Sequence, residues 1–464
     1  MKGPGNTPGD EQARVAPTAW ALAVLLMIGL LMAYLRSLPQ NAGQAGTTPL
    51  ALGFLLLSAW CAGLLVEKLR LPKLTGYILA GLAAGPALTG LISAEKLVAL
   101  QPINDLALTF IALVAGGELH FPMVRRLWRS IAGWIGGQLL LTPLVVGGGL
   151  FLIAPWLPGE MGGLELAALA IVLSAISLAR SPAATVAVIN EAEAKGPFTE
   201  TVMATTITLD TLVVLIFAVA VAVAEKLTTP GAGFDLSVLT SLSADLLLSI
   251  LLGGAVGCGV LLVMRTFRID LPILLAGIAY LITRLSREAS LWLADNFDTH
   301  LHLEPLLMGL TAGIVVQNLS RRGHVFTENL ERIAPPIYVA FFALTGAGLD
   351  LDALTTSWLL AVSLVLLRMA GLFVGAWGGS AAAGDPRIWR SLAGWTAISQ
   401  AGVSLGLAAE LGRRFPQWGA TVVAPLIAAI AINQIVGPVL LVRSLRRAGE
   451  SHEHPLEPEE SDIL

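Results

Sequence analysis

Apolar runs of about 20 residues, each long enough to cross a ~30 Å hydrocarbon core as a helix, recur along almost the whole chain and are joined by short polar links. In lipid, every backbone N–H and C=O needs an internal partner, which leaves helices or closed barrels as the only spanning structures. Barrel strands alternate apolar and polar residues, and these runs are unbroken. Of the 464 residues 55% are hydrophobic and only 13% charged, about half the charged share of a soluble domain. The chain therefore reads as an all-α polytopic membrane protein.

The length rule predicts about 14 transmembrane helices, 13 plus one extra at the N-terminus. They fall near 19–37, 48–66, 73–92, 102–119, 131–156, 163–190, 200–225, 238–264, 269–290, 301–319, 334–350, 355–381, 389–411 and 419–442. Residues 1–18 are expected as a cytoplasmic N-terminal segment, 19–442 as the membrane domain, and 443–464 as a short disordered cytoplasmic tail. Alternating the loops between two sides places nineteen Lys and Arg on the side of both termini and seven on the other. That bias makes both termini cytoplasmic. Only Arg180 and Arg368 belong to neither side.

Cys61 and Cys258 lie inside apolar runs and read as small buried hydrophobes. A net charge of −4, spread over loops and tail, predicts no nucleic-acid surface. His452 and His454 read as part of a solvated tail. No phosphate loop, metal-ligand cluster or nucleophile–base pair stands out at depth, so neither an enzyme nor a cofactor or bound metal is expected.

The chain also contains itself twice. Leu79-Ala80-Gly81 recurs as Thr311-Ala312-Gly313, the string from Phe110 to Leu119 parallels that from Phe341 to Asp350, and Ala175-Ile176-Ser177 recurs as Ala397-Ile398-Ser399. Five helices from about 73 to 225 thus correspond to five from about 301 to 442. The loop assignment starts one unit inside and the other outside, so the repeats are expected to be inverted, as in many secondary transporters. Such carriers often break a matched pair of helices at the midplane. Pro182, in Ala179-Arg180-Ser181-Pro182, removes a donor and disrupts the preceding turn. Gln400 and Gly402, in Ser399-Gln400-Ala401-Gly402, occupy the matching depth. These two places are the expected breaks.

Asp210, Arg180 and Arg368 each lie near the middle of an apolar stretch. Charges at that depth are costly and by default line an ion or proton path. Asp210 is the expected ion- and proton-binding group, because carboxylate and hydroxyl oxygens are hard ligands suited to a small alkali cation. Thr206 shares its helix face at the i, i+4 spacing, and Ser181, at the break, is the other candidate ligand. Arginine keeps its proton, so Arg368 is expected as a permanent counter-charge, either stabilising the emptied anionic site or holding the two broken helices. Arg180 is expected to act similarly or to pair with an acid. Asp105, Glu118 and Glu304 lie nearer helix ends and read as secondary.

These residues carry a resemblance to the monovalent cation:proton antiporter superfamily, the sodium/proton exchanger group. The stretch from Leu71 to Gly81 with Gly85-Pro86 looks like that family's opening helix, and Leu113 to Leu119 is similar to its second-helix signature. Asp210 matches its ion-binding aspartate, Arg368 its basic residue, and Ser399 to Leu407 its second broken helix. The resemblance implies a core domain moving against a dimerisation domain in an elevator-like motion, within a homodimer. It implies exchange of Na⁺ or K⁺ for H⁺ without ATP, in a bacterial inner membrane. Electrogenic members carry a second aspartate before the binding one and a lysine as the basic residue; here Leu209 and Arg368 stand there. Electroneutral relatives have Asn before the aspartate and Glu five residues ahead; here the residues are Leu209 and Thr205. Arg180-Ser181-Pro182 replaces the family's Thr-Asp-Pro. One carboxylate without a protonatable partner predicts electroneutral 1:1 exchange. The alternative is a symporter for an organic anion, with Arg180 and Arg368 holding the substrate carboxylate; a receptor of the same fold is a third reading.

Overall fold

A computed structural model describes residues 24–32, 47–69, 71–154, 163–228, 236–266, 271–297, 303–320, 323–349, 351–400, 402–415 and 419–451. Among them every regular element is a helix, beginning with α1 (24–32). There follow α2 (Thr47–Lys68), α3 (Lys73–Ala84), α4 (Ala94–Glu118), α5 (Phe121–Ile153), α6 (Gly163–Ser177), α7 (Pro182–Glu191) and α8 (Pro197–Thr228). Then come α9 (Leu236–Thr266), α10 (Leu271–Phe297), α11 (Pro305–Leu319), α12 (Gly323–Ala347), α13 (Leu351–Ala383), α14 (Arg387–Leu392), α15 (Gly402–Arg414) and α16 (Gly419–Arg447). Among the described residues eight stretches, with α6 and α7 taken together, are long and apolar enough to cross a membrane, and three shorter apolar helices accompany them. The protein is a helical integral membrane protein.

Several helices outrun the apolar segments that announce them. α5 begins at Phe121 and carries Arg125, Arg126 and Arg129 on its first turns, α12 begins at Gly323, and α16 continues to Arg447. Hydropathy marks only the part that needs lipid, whereas i→i−4 bonding continues as long as the residues tolerate it. The tail expected to be free from residue 443 is corrected accordingly: it starts as the last turn of α16, and Glu450 and Ser451 bond back to the α7–α8 connection. Residues 1–23 and 452–464, including His452 and His454, lie outside the described residues.

The chain forms two compact units, one of residues 1–101 with 339–349 and one of 102–338 with 350–464. In the first, α3 runs against α2 and against the end of α12, where a side chain at Gly81 would collide with the Ala343 carbonyl and one at Gly346 with that of Ile78. The second unit repeats this close crossing between α4 and α11, where Gly116 faces Leu310 and Gly313 faces Leu113. Its core is built by α5, α6, α8, α13, α15 and α16 around side chains such as Leu150, Leu169, Val172, Val213 and Leu411. Leu140, Leu144 and Leu152 of α5 point outward, as lipid contact requires.

The tightest seam joins α5 to α13. Gly133 and Gly137 on one helix meet Gly375 and Gly379 on the other, and a side chain at Gly379 would run into the Gly133 backbone. Without a hydrophobic drive between helices in lipid, such small-xxx-small pairs let backbones approach and pack. Asp385, just past α13, locks the seam: its Oδ1 accepts from Ser130 Oγ (2.5 Å), and its Oδ2 accepts from Trp134 Nε1 (2.7 Å) and Ser380 Oγ (2.7 Å). Gly379→Leu forces the helices apart and is expected to destabilise the protein by about 3 kcal/mol or more, at the upper end for overpacking. A thermal-unfolding midpoint equal to the parent's would show that the seam does not hold the unit.

Candidate functional site

Two helical runs are interrupted in the buried interior. α6 stops at Ser177, the chain is irregular from Leu178 to Ser181, and α7 restarts at Pro182. Proline suits that first helical position because its missing N–H would lack a partner there anyway. Ser181 is the N-cap: its Oγ accepts from Ala184 N (3.1 Å), so the hydroxyl expected as an ion ligand already serves the backbone. In the second run a 3₁₀ turn at Trp395–Ala397 gives way to irregular chain over residues 398–400, and α15 starts at Gly402. Pro182 begins the helix after the first interruption; Gln400 lies in the second, and Gly402 begins the helix after it. The two interruptions touch each other, since Ser181 N donates to Ser399 O (3.0 Å).

Breaking a helix strips carbonyls of their partners, which is tolerated at membrane depth only where other polar groups replace them. Arg368 of α13 does so. Its Nε donates to Ser177 O (3.1 Å), its Nη1 to Ile398 O (2.7 Å), and its Nη2 to Ala179 O (2.8 Å) and Ala397 O (3.1 Å). The guanidinium, only 3% exposed, therefore bridges both breaks. Gln400 adds to the crossing: its Oε1 accepts from Asn433 Nδ2 (2.8 Å) on α16, and its Nε2 points to Ile176 O (3.4 Å).

Asp210, midway along α8, is 5% exposed. Its Oδ1 has no hydrogen-bond partner, and among the described residues it makes no ion pair with either arginine. It lines a small cavity of about 20 Å³ together with Pro182, Ala183, Ile207, Thr211, Leu108 and Leu306, among others. That is room for one water-sized guest. Among the described residues Asp210 is the only carboxylate lining it. A second, larger cavity of about 870 Å³ lies beyond, lined by Asp105, Glu304, Arg284 and Arg287 and by the same Leu108 and Leu306. The two leucines are thus the wall the cavities share.

Arg180, 2% exposed, has neutral partners where an acid was a possibility. One Nη donates to Gln138 Oε1 of α5, and the other points to Thr206 Oγ1 (3.5 Å). The Thr206 hydroxyl therefore faces a guanidinium one turn from Asp210, and Thr211 is the hydroxyl residue on the cavity. The sequence reading did not single out Gln138, Asn433, Leu108 or Leu306. An amide inside an apolar run, single at Gln138 and paired at Asn433-Gln434, was the available signal for the first two; nothing distinguishes two leucines among so many.

Comparison with known proteins agrees with this architecture. A family described as "Sodium/hydrogen exchanger, transmembrane" matches residues 51–446. The iron transporter MagA of Paramagnetospirillum magneticum is 27% identical over 422 residues, covering 86% of each chain. The sodium proton antiporter MjNhaP1 of Methanocaldococcus jannaschii at pH 8 superposes with a TM-score of 0.61 at 16% identity, over 87% of this chain and 97% of that one. A second structure of that antiporter, from an electron-microscopy map, gives 0.60 over 86% and 95%. With a family match that spans most of its length, this chain belongs to the transmembrane sodium/hydrogen exchanger family.

Proposed function

We propose that this protein exchanges a monovalent cation, Na⁺ or K⁺, for H⁺, with Asp210 holding the two in turn. The observation that carries the reading is a buried carboxylate with an unpartnered oxygen on a cavity of about 20 Å³. Carboxylate and hydroxyl oxygens suit an alkali cation, and a single acid on the cavity neutralises either one cation or one proton. Leu209 supplies no second acid, and neither arginine gives up its proton. Turnover is therefore electroneutral, one for one. The iron in the MagA name belongs to that protein; oxygen ligands of this kind favour hard cations over softer metals.

Alternating access by an elevator motion, an inverted repeat and a homodimer complete the proposal. The repeat gains support from the matched crossings of α3 with α12 and of α4 with α11, and from the two breaks, one directly after Ala175-Ile176-Ser177 and one within Ala397-Ile398-Ser399. With both termini cytoplasmic in a bacterial inner membrane, the larger cavity opens outward, and Leu108 with Leu306 forms an apolar constriction in front of Asp210. The organic-anion alternative loses ground, because Arg368 spends its donors on four backbone carbonyls.

Proteoliposomes with a pH dye test the stoichiometry. Pulses of Li⁺, Na⁺, K⁺ or Rb⁺, with Fe²⁺ as a further arm, are expected to elicit proton flux for a monovalent ion at a rate indifferent to an imposed membrane potential. Flux that scales with the potential would overturn the one-for-one exchange, and flux driven by organic acids alone would favour the symporter.

A further inference from the structure

We propose that Glu450, beyond the last helix, is a positioning residue for exchange at Asp210: it supplies the N-cap of α8 from the far end of the chain and so sets that helix against α16. This rests on the role of Asp210 proposed above.

The first N–H groups of a helix have no partner within it, and most helices satisfy one with a Ser, Thr, Asp or Asn just before the first turn. α8 follows Gly196, which has no side chain to offer, and opens on Pro197. Glu450 fills the gap. Its Oε1 accepts from Phe198 N (2.8 Å), and its Oε2 accepts from Thr199 N (2.7 Å) and Thr199 Oγ1 (2.8 Å). Lys195 N donates to the Glu450 carbonyl (2.9 Å), and Ser451 Oγ donates to Ala192 O (3.0 Å). The negative charge also suits the positive end of the α8 dipole.

The acid is aimed by the way α16 ends. Gly449 takes φ 76°, Gly449 N donates to Arg446 O (3.0 Å) and Glu450 N to Leu445 O (3.2 Å). That is the paired bonding of a Schellman stop. Gly196 has φ 153°, and a side chain there would run into the Glu450 carboxylate. Two glycines, far apart in sequence, thus make room for one contact.

What the contact joins gives it a consequence. α8 carries Asp210. α16 carries Asn433, bonded to Gln400 in the second break, and Gly437, packed on the Ser399 backbone. Glu450 ties the ends of these two helices, so the depth of Asp210 relative to the broken crossing depends on it. Phe198 still anchors α8 between the Trp134 and Trp389 rings, at 5.7 and 5.6 Å between centroids, so the helix survives the loss of its cap.

The test uses the full chain in proteoliposomes with Glu450→Ala, Gly196→Ala and the conservative Glu450→Asp. Readouts are the cation dependence of proton flux and hydrogen–deuterium exchange of the 198–201 amides. Glu450→Ala and Gly196→Ala are expected to raise the apparent KM for the cation about fivefold, the size of a lost cap, with the maximal rate within about twofold. Amide exchange at Phe198 and Thr199 should quicken in both. Glu450→Asp should recover most of the parental KM. Faster amide exchange with a parental KM would reduce Glu450 to a structural cap and overturn the proposal; so would parental amide exchange in Glu450→Ala. Absence of cation-driven flux in the parent would instead sink the exchange reading, and the amide data would still decide the cap.

Discussion

Asp210→Asn is expected to abolish exchange, by more than about 100-fold, while leaving the protein folded. The amide matches the carboxylate in shape but has no net charge. At an effective dielectric of about 20, a carboxylate and a cation ~4 Å apart attract by about 4 kcal/mol, and that attraction is what replaces the ion's hydration shell. Asn also cannot accept a proton at working pH, so both substrates lose their shared ligand together. Asp210 is buried and its Oδ1 lacks a partner, so removing the charge relieves a desolvation cost. The thermal-unfolding midpoint should therefore equal or exceed the parent's. Measured side by side in proteoliposomes, a stable but silent variant supports the assignment. Full activity removes it, and a variant that fails to fold would contradict the view that the carboxylate is tuned for transport and not for stability.

The second large effect concerns Arg368. Arg368→Met keeps the bulk of the side chain and removes donors from four carbonyls, those of Ser177, Ala179, Ala397 and Ile398. At about 1 kcal/mol or more for each buried acceptor left without a partner, the loss is at least about 4 kcal/mol, a large fraction of the stability of a typical domain. The variant is expected to unfold at much lower temperature or to fail to accumulate. Arg368→Lys should be intermediate, because an ammonium is a point donor and cannot span the fork that reaches both breaks. Parental stability in Arg368→Met would show that the broken spans hold themselves together.

The parts of the site that were legible in the sequence are anomalies against their background. A charge or a proline inside an apolar run is visible without any structure, and Asp210, Arg180, Arg368 and Pro182 were found that way. Their pairings were not. Arg180 meets Gln138 and Thr206, and Arg368 meets backbone; no residue pattern encodes a carbonyl freed by a break elsewhere in the chain. Glu450 sits among tail acids that look solvated, and only the Schellman turn at Gly449 aims it at α8. Asp385, in Gly384-Asp385-Pro386, resembles an ordinary turn acid, yet it closes the α5–α13 seam. Helix ends were displaced for a different reason: hydropathy follows lipid contact, while α5 and α12 continue well past the apolar edge.

The central claim is that one carboxylate is held in turn by a cation and by a proton. It is tested most directly by proton release on cation binding to the purified protein, by calorimetry in buffers of different ionisation enthalpy. With Na⁺ or K⁺ added at a pH where the site holds its proton, release is expected to approach one proton per bound cation in the parent and to vanish in Asp210→Asn. Cation binding without proton release, or release that persists in Asp210→Asn, would contradict it.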